Sequence, residues 1–330
     1  MSNKKLISII MPVKDGMPYL KEAVSSILKQ SYSDFELIVV LNGSSDESHN
    51  YLQSTLDSRI KIFEMEDANL VKALNLAIDH SSGDHIARMD SDDWSDPDRL
   101  KLQLQYLEEN RDIDLVSCLV SSGEGTKEGF IEYINWQNSI VCSKDCKLAQ
   151  FIESPIVHPT VMVRSNILKE CGGYREGDFP EDYELWLRMQ ERGIRFGKVD
   201  KNLFCWNDYP SRLTRTDDRY QTEAFYKVKS IYLARWIKKN VVDREIFVWG
   251  GGKRSLKRLS FLTDKDVRIS KIIEVNPKKI KEGVVFYEDL DLSSKPFILS
   301  YVGSRVQRYQ VKDFLIENGM VEGEDFLLCS

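Results

Sequence analysis

The densest chemistry in the sequence is Asp90-Ser91-Asp92-Asp93, three carboxylates within four positions. Carboxylates this close repel one another unless a cation neutralises them. Oxygen ligands on a short turn suit Mg2+ or Mn2+, which keep several waters and also grip substrate phosphates. An alternative needs no metal: an Asp-rich turn in which Asp96 caps a helix starting at Pro97. The preceding apolar run, residues 86–89, favours the metal, because it reads as a short buried strand. In open α/β sheets, ligands bind at strand ends.

A second acidic pair, Glu181-Asp182, follows Pro180 at the start of an amphipathic helix that carries Trp186. The helix dipole favours carboxylates there for stability alone. The glycine-rich stretch before it, Cys171-Gly172-Gly173-Tyr174, and the tryptophan after it make the pair a candidate for chemistry as well.

These groups need elements to hold them. Residues 6–11 form a buried-strand pattern closed by Pro12 and the turn residues Asp15 and Gly16. Leu20, Ala23, Val24, Ile27 and Leu28 then share one helix face. A strand at 35–41 ends in the turn Asn42-Gly43-Ser44-Ser45-Asp46, and 59–65 gives a third strand. Leu70, Leu74, Ala77 and Ile78 mark a helix that Gly83 ends before the acidic turn's own strand. Strands alternating with helices imply right-handed crossovers and a largely parallel sheet covered on both faces. Further along, 97–110 reads as a helix, 113–120 as a strand, 121–154 as an irregular excursion over the active face, and 158–164 as a strand.

At 330 residues the chain is long enough for two domains. A net charge of −6 argues against a general nucleic-acid binder. No apolar run approaches a membrane span, and residues 1–5 lack a signal peptide's apolar stretch. The six cysteines form no Cys-x-x-Cys pair and read as reduced thiols of a cytosolic protein.

Six segments in order, Ile9-Ile10-Met11-Pro12-Val13-Lys14-Asp15, Glu36-Leu37-Ile38-Val39-Val40, Ala87-Arg88-Met89-Asp90-Ser91-Asp92-Asp93, Pro97-Asp98-Arg99-Leu100, His158-Pro159-Thr160 and Glu181 to Arg188, resemble the family 2 glycosyltransferases with the GT-A fold. The resemblance covers roughly residues 5–220. It implies an α/β fold with a mostly parallel central sheet. Pro12, Val13, Lys14, Asp15 and Asn42 would cradle the nucleoside of a nucleotide-diphospho-sugar donor. Asp90 would contact the ribose or the metal shell, and Asp92 would hold Mn2+ or Mg2+ bridging the diphosphate. Asp93, with Ser91 in the same turn, would stand close to the sugar or support the turn. Asp182 would be the general base and Glu181 its positioning neighbour. His158 would support the metal or pyrophosphate, or else be a satisfied structural histidine.

The sequence departs from many relatives at Leu41, Leu74 and Lys14, positions bearing on the base and phosphates; Lys72 or Arg88 could compensate. The implied reaction is an inverting, metal-dependent sugar transfer. Its acceptor would be a glycan or lipid-linked glycan of a bacterial surface polysaccharide: capsule, O-antigen or lipopolysaccharide. Two rival classes stand beside it, a non-catalytic nucleotide-sugar-binding regulator and an NAD(P)-linked oxidoreductase centred on the C-terminal residues. The expected location is cytoplasmic, with the inner membrane face and a homo-oligomer left open.

Past the acidic helix, Arg212 and Arg215 lie among aromatic and turn residues and could close over a diphosphate. The expected division is 1–222 for the transferase domain, 223–244 for a connecting helix and 245–330 for a small Rossmann-like domain. The connecting segment alternates Lys227, Lys229, Arg235, Lys238 and Lys239 with apolar residues, as a packed helix or one lying on an anionic membrane would. The last segment has strands at 245–249, 270–275 and 297–302, and a turn, Gly250-Gly251-Gly252-Lys253-Arg254-Ser255, in which Ser255 replaces the third glycine of the dinucleotide fingerprint. That turn is open to an anion site or to a structural or partner-binding role.

Overall fold

The computed structural model describes residues 5–123, 125–209 and 212–330. The chain divides into two units. One holds the chain through Cys146 with Pro155–Gly177 and Arg192–Thr216; the other holds Lys147–Ser154, Asp178–Glu191 and Asp217–Ser330.

The first unit is built on β1 (Ile7–Val13), β2 (Phe35–Asn42), β3 (Ile60–Met65), β4 (His85–Arg88), β5 (Trp94–Ser95), β6 (Leu115–Ser122), β7 (Met162–Arg164) and β8 (Phe196–Trp206). They form one sheet in the order β3-β2-β1-β4-β7-β6-β8-β5. The first four strands are parallel, β7 runs antiparallel to both neighbours, and β5 caps the far edge antiparallel to β8. β1 and β2 are buried at every position, the mark of strands covered on both faces. Helix Leu20–Leu28 turns Leu20, Ala23, Val24 and Ile27 into the core they share with Ile9, Met11 and Val39.

β1 continues through Pro12 to Val13, where the apolar run alone suggested that Pro12 closes it. In this strand the even positions face β4: Ile10 O accepts from Met89 N at 3.1 Å. Pro12 therefore turns its missing N–H towards β4 beyond their last pair, Ile10–Arg88. A proline is tolerated where no ladder bond is asked of it.

Other expectations are corrected. Helix Arg99–Glu109 starts two residues after Pro97, and Asp96 does not cap it; Asp96 Oδ1 accepts from Asp98 N in the turn before it. Residues 121–154, expected to be irregular, hold helices Glu128–Asn138 and Ser143–Ala149. The expected strand 158–164 begins as a 3-10 turn, His158–Thr160, which leaves only Met162–Arg164 in the sheet. β5 and β8 were not expected at all. β8 carries an exposed charged stretch at Asp200–Asn202, opposite a register shift at Cys118 and Leu119 of β6, and this hides its period.

The second unit contains β9 (Ile246–Trp249), β10 (Lys271–Glu274), β11 (Val284–Phe286), β12 (Phe297–Ser300) and β13 (Phe326–Leu328). All are parallel, in the order β11-β10-β9-β12-β13, so strand succession reverses between β9 and β12. Three strands were expected; β11 and β13 are three residues each, too short to show a pattern. The helix expected at 223–244 spans Thr222–Asn240, and its Tyr226, Leu233 and Ile237 enter a core with Val248, Leu259 and Leu299. No helix among the described residues is long and apolar enough to cross a membrane.

Candidate active site

Three adjacent strands of the first unit, β2, β1 and β4, end at the same carboxyl edge. The loop after β1 is stitched to the loop after β2. Asp15 N donates to Ser44 Oγ at 3.1 Å, Ser44 Oγ donates to Val13 O at 2.9 Å, and Ser45 N donates to Asp15 Oδ1 at 2.7 Å. Asp15 holds φ +46°, and the Ser45 N–H, then Lys14, draw its carboxyl below the usual range. Lys14 bonds Gly43 O and pairs with Asp15. Gly43 is required: at φ +65° its Cβ would sit 2.9 Å from the backbone of Glu66 and Ala68. Asn42 is buried and accepts Asn69 N at 2.6 Å, and Asn69 caps the next helix through Lys72 N. These bonds make a fixed backbone cradle. Lys72 itself lies exposed in the first turn of helix Leu70–Asp79.

The acidic turn follows β4. Oxygens of Asp90, Asp92 and Asp93 all lie within 4.8 Å of one another. Burial, then the charge of Asp90, pushes Asp92 up to about 6. Burial, then Asp92 and Asp90, pushes Asp93 well above the usual carboxylate range. Asp93 Oδ2 is buried and has no hydrogen-bond partner among the described residues. Three crowded carboxylates with one orphaned oxygen fit a divalent cation, whose charge would remove the repulsion. Ser91 is a half-buried member of the same turn.

Cations already grip this turn. Arg88, 3% exposed, pairs with Asp90 at 2.5 Å and bonds Met89 O. Arg99, fully buried, donates to Arg88 O at 3.1 Å and to Pro159 O at 2.8 Å, tying the end of β4 to the His158–Thr160 turn. Arg212 stacks over Trp206 with 4.8 Å to the ring centroid, donates to Asn207 O, and lowers both Asp92 and Asp93 by its charge. Arg215 pairs instead with Asp208. Pro210 and Ser211, in the same stretch, lie outside the described residues.

His158 Nε2 stands 2.7 Å from Tyr174 Oη, and burial, then Arg88, depresses its pKa well below the usual value. Tyr174 Oη thus fixes the ring, which the sequence expected either to support the metal or pyrophosphate or to be structural. The clustered carboxylate oxygens come from Asp90, Asp92 and Asp93 alone among the described residues.

Asn207 escaped the sequence reading, which noticed only the arginines beyond it. Its N–H donates to Asp93 Oδ1 and its side-chain amide to Asp92 O, each at 2.8 Å. The usable signal was an asparagine just past a strand, a residue type that bonds nearby backbone.

In the second unit, helix Glu181–Glu191 begins after Pro180, whose carbonyl accepts Glu184 N. Glu181 is 2% exposed, and Tyr220 Oη donates to its Oε2 at 2.6 Å. Burial, then Glu181 and Asp182, drives the Tyr220 phenol above its ordinary pKa. Asp182 is half-buried and its Oδ1 accepts Tyr183 N at 2.7 Å. The glycine turn after β9 differs from a dinucleotide fingerprint as read: Ser255 turns its hydroxyl onto Tyr301 O at 2.8 Å.

A parallel sheet whose carboxyl edge joins a backbone cradle to an Asp-x-Asp turn defines the GT-A class of glycosyltransferases. The model of "Glycosyl transferase family 2" matches residues 8–172, half of the chain, and the chain belongs to that family. The O-antigen biosynthesis glycosyltransferase WbnJ of Escherichia coli is 33% identical over 248 residues, which cover 72% of this chain and 91% of WbnJ. TarS of S. aureus in complex with UDP-GlcNAc superposes with a TM-score of 0.58 at 17% identity, covering 78% of this chain and 71% of that one. The mannosyltransferase PcManGT of Pyrobaculum calidifontis, in complex with GDP-Man and Mn2+, gives a TM-score of 0.52 at 15% identity, over 80% and 74%. These two share the fold. The protein is a glycosyltransferase, and the oxidoreductase and regulator readings find no support in the comparisons.

Proposed function

We propose an inverting, divalent-cation-dependent transfer of a hexose or N-acetylhexosamine from a nucleotide diphosphate to a hydroxyl of a bacterial surface glycan, free or lipid-linked. The observation that carries this reading is the set of three carboxylates whose oxygens lie within 4.8 Å, beside the cradle of Asp15 and Asn42. Asp90 and Asp92 would hold Mn2+ or Mg2+, which when bound stabilises the negative charge of a leaving diphosphate. The loops Pro12 to Asp15 and Asn42 to Ser45 hold the nucleoside, and Asp93 stands by the sugar. Asp182 takes the proton of the attacking hydroxyl, with Glu181 setting its position; a single displacement inverts the anomeric centre. The likeness to an O-antigen enzyme supports the surface-glycan acceptor.

The test is donor turnover with and without Mn2+ across a panel of UDP- and GDP-sugars. Turnover should need the cation and be lost in Asp92→Ala. In Asp182→Asn it should be lost while nucleotide binding survives. Turnover undiminished by EDTA would sink the metal reading, and an active Asp182→Asn would sink the base.

A further inference from the structure

Arg88 ends β4 and Asp90 follows two residues later, a spacing that turns two side chains to the same side of extended chain. The backbone there is held from three directions. Arg88 N donates to Val161 O at 2.9 Å, Met89 N donates to Ile10 O at 3.1 Å, and Arg88 O accepts from Arg99 Nη1 at 3.1 Å. The Arg88 guanidinium is buried, bonds Met89 O through Nη1 and reaches Asp90 Oδ1 through Nη2 at 2.5 Å. Its Nε has no hydrogen-bond partner among the described residues. Contacts between two charged groups are among the strong hydrogen bonds, and a buried guanidinium deprived of its carboxylate is costly. The pair is therefore a fixed part of the acidic turn.

The consequence is one of charge. The oxygens of Asp90, Asp92 and Asp93 lie within 4.8 Å of one another, and Arg88 already offsets the first of them by direct contact. Arg212 acts from over the Trp206 ring, whereas Arg88 touches its carboxylate. A divalent cation entering the turn must share Asp90 with this resident positive charge. Charges a few ångströms apart in a buried site are little screened, so the guanidinium works against a bare cation. It works the other way on a cation that arrives with a diphosphate, because the added negative charge meets Arg88 as well as the metal.

We propose that Arg88 is a positioning residue for the donor, an internal counter-charge that weakens the turn's hold on a free divalent cation and strengthens its hold on cation and nucleoside diphosphate together. This rests on the cation-dependent reading of the acidic turn. The donor's diphosphate then brings the cation into the site with it.

The experiment is calorimetric titration of the full chain with Mn2+ alone, then with UDP and with GDP in saturating Mn2+. Arg88→Met should bind Mn2+ alone about tenfold or more tightly than the wild type, and the better of the two nucleotides about tenfold or more weakly. Loss of a merely structural contact would weaken both. Arg88→Met combined with Asp90→Asn removes the pair as a unit and should return Mn2+ affinity to within about threefold of the wild type. This double variant decides the question if circular dichroism shows the single one misfolded, and a tenfold loss of Mn2+ affinity in it overturns the proposal. Mn2+ binding that is lost in Asp92→Ala but not tightened in Arg88→Met overturns the proposal and leaves the metal reading standing. Mn2+ binding to neither wild type nor variant, with or without nucleotide, overturns both.

Discussion

Asn207 N donates to Asp93 Oδ1 at 2.8 Å, joining the end of β8 to the turn after β4 across 114 residues of chain. The Asn207 side chain adds a second bond, to Asp92 O. Groups that orient metal-ligating carboxylates matter nearly as much as the ligands. Asn207→Ala keeps the main-chain bond to Asp93 and removes only the side-chain bond to Asp92 O, so it should weaken Mn2+ binding about tenfold, the low end of such effects, with the fold intact. Gly123→Ala should act in the same direction, because its Cβ would press on Asn207 Oδ1 and push that amide away. Calorimetry with Mn2+ and a melting curve for each variant check both statements.

Tyr220 should matter to turnover and not to donor affinity. Its hydroxyl holds the buried Glu181 beside the proposed base. A hydrogen bond to a charged group is worth about 1.5–3 kcal/mol. Tyr220→Phe should lower kcat about tenfold or more, and nucleotide Kd should not move. A fall in nucleotide affinity with kcat preserved would count against this role.

Glu36 gives the first unit a stability that depends on pH. Burial alone would raise its pKa, but Lys61, Ser8 and both Ser82 groups outweigh it and hold the carboxyl at about 2. A carboxyl depressed on folding contributes fully above its unfolded value near 4.5, and loses that contribution as pH falls towards 2. Glu36→Gln should cost about 1–3 kcal/mol at pH 7 and much less at pH 2.5. Urea unfolding at the two pH values measures the difference.

Glu184 and Arg188 form an ion pair on helix Glu181–Glu191 with side chains 4% and 3% exposed, and Tyr232 Oη donates to the carboxylate at 2.5 Å. Removing Glu184 takes from the buried Arg188 guanidinium its bidentate carboxylate, so Glu184→Ala should cost about 3 kcal/mol or more. Glu184→Ala combined with Arg188→Met should recover part of the loss. The stabilities of the single and double variants, taken from denaturant midpoints, decide it.

β1 and β2 were legible as nearly continuous apolar runs wedged between turn residues, while β3, Ile-Lys-Ile-Phe-Glu-Met, showed as a half-buried strand with Lys61 and Glu64 exposed. Packing between covering helices forces such runs into the local sequence. β7, β11 and β13 have three residues each, and β5 has two. Such strands exist because a neighbour offers a ladder, and no periodicity can show over so few residues. Helix Glu128–Asn138 was missed for a related reason: its buried Ile134, Trp136 and Gln137 do not make one clean stripe.

The sequence by itself determined the chemistry. Asp90, Asp92 and Asp93 are near neighbours in the chain, so a short turn must bring their carboxylates together whatever the rest of the fold does. It also determined the alternation of strand and helix that places such a turn at a sheet edge. Tertiary structure alone decided who attends those groups. Asn207 reaches Asp93 and Tyr220 reaches Glu181, over 114 and 39 residues. Contacts of that length are set by strand order and helix packing, and they leave no periodicity in the local sequence.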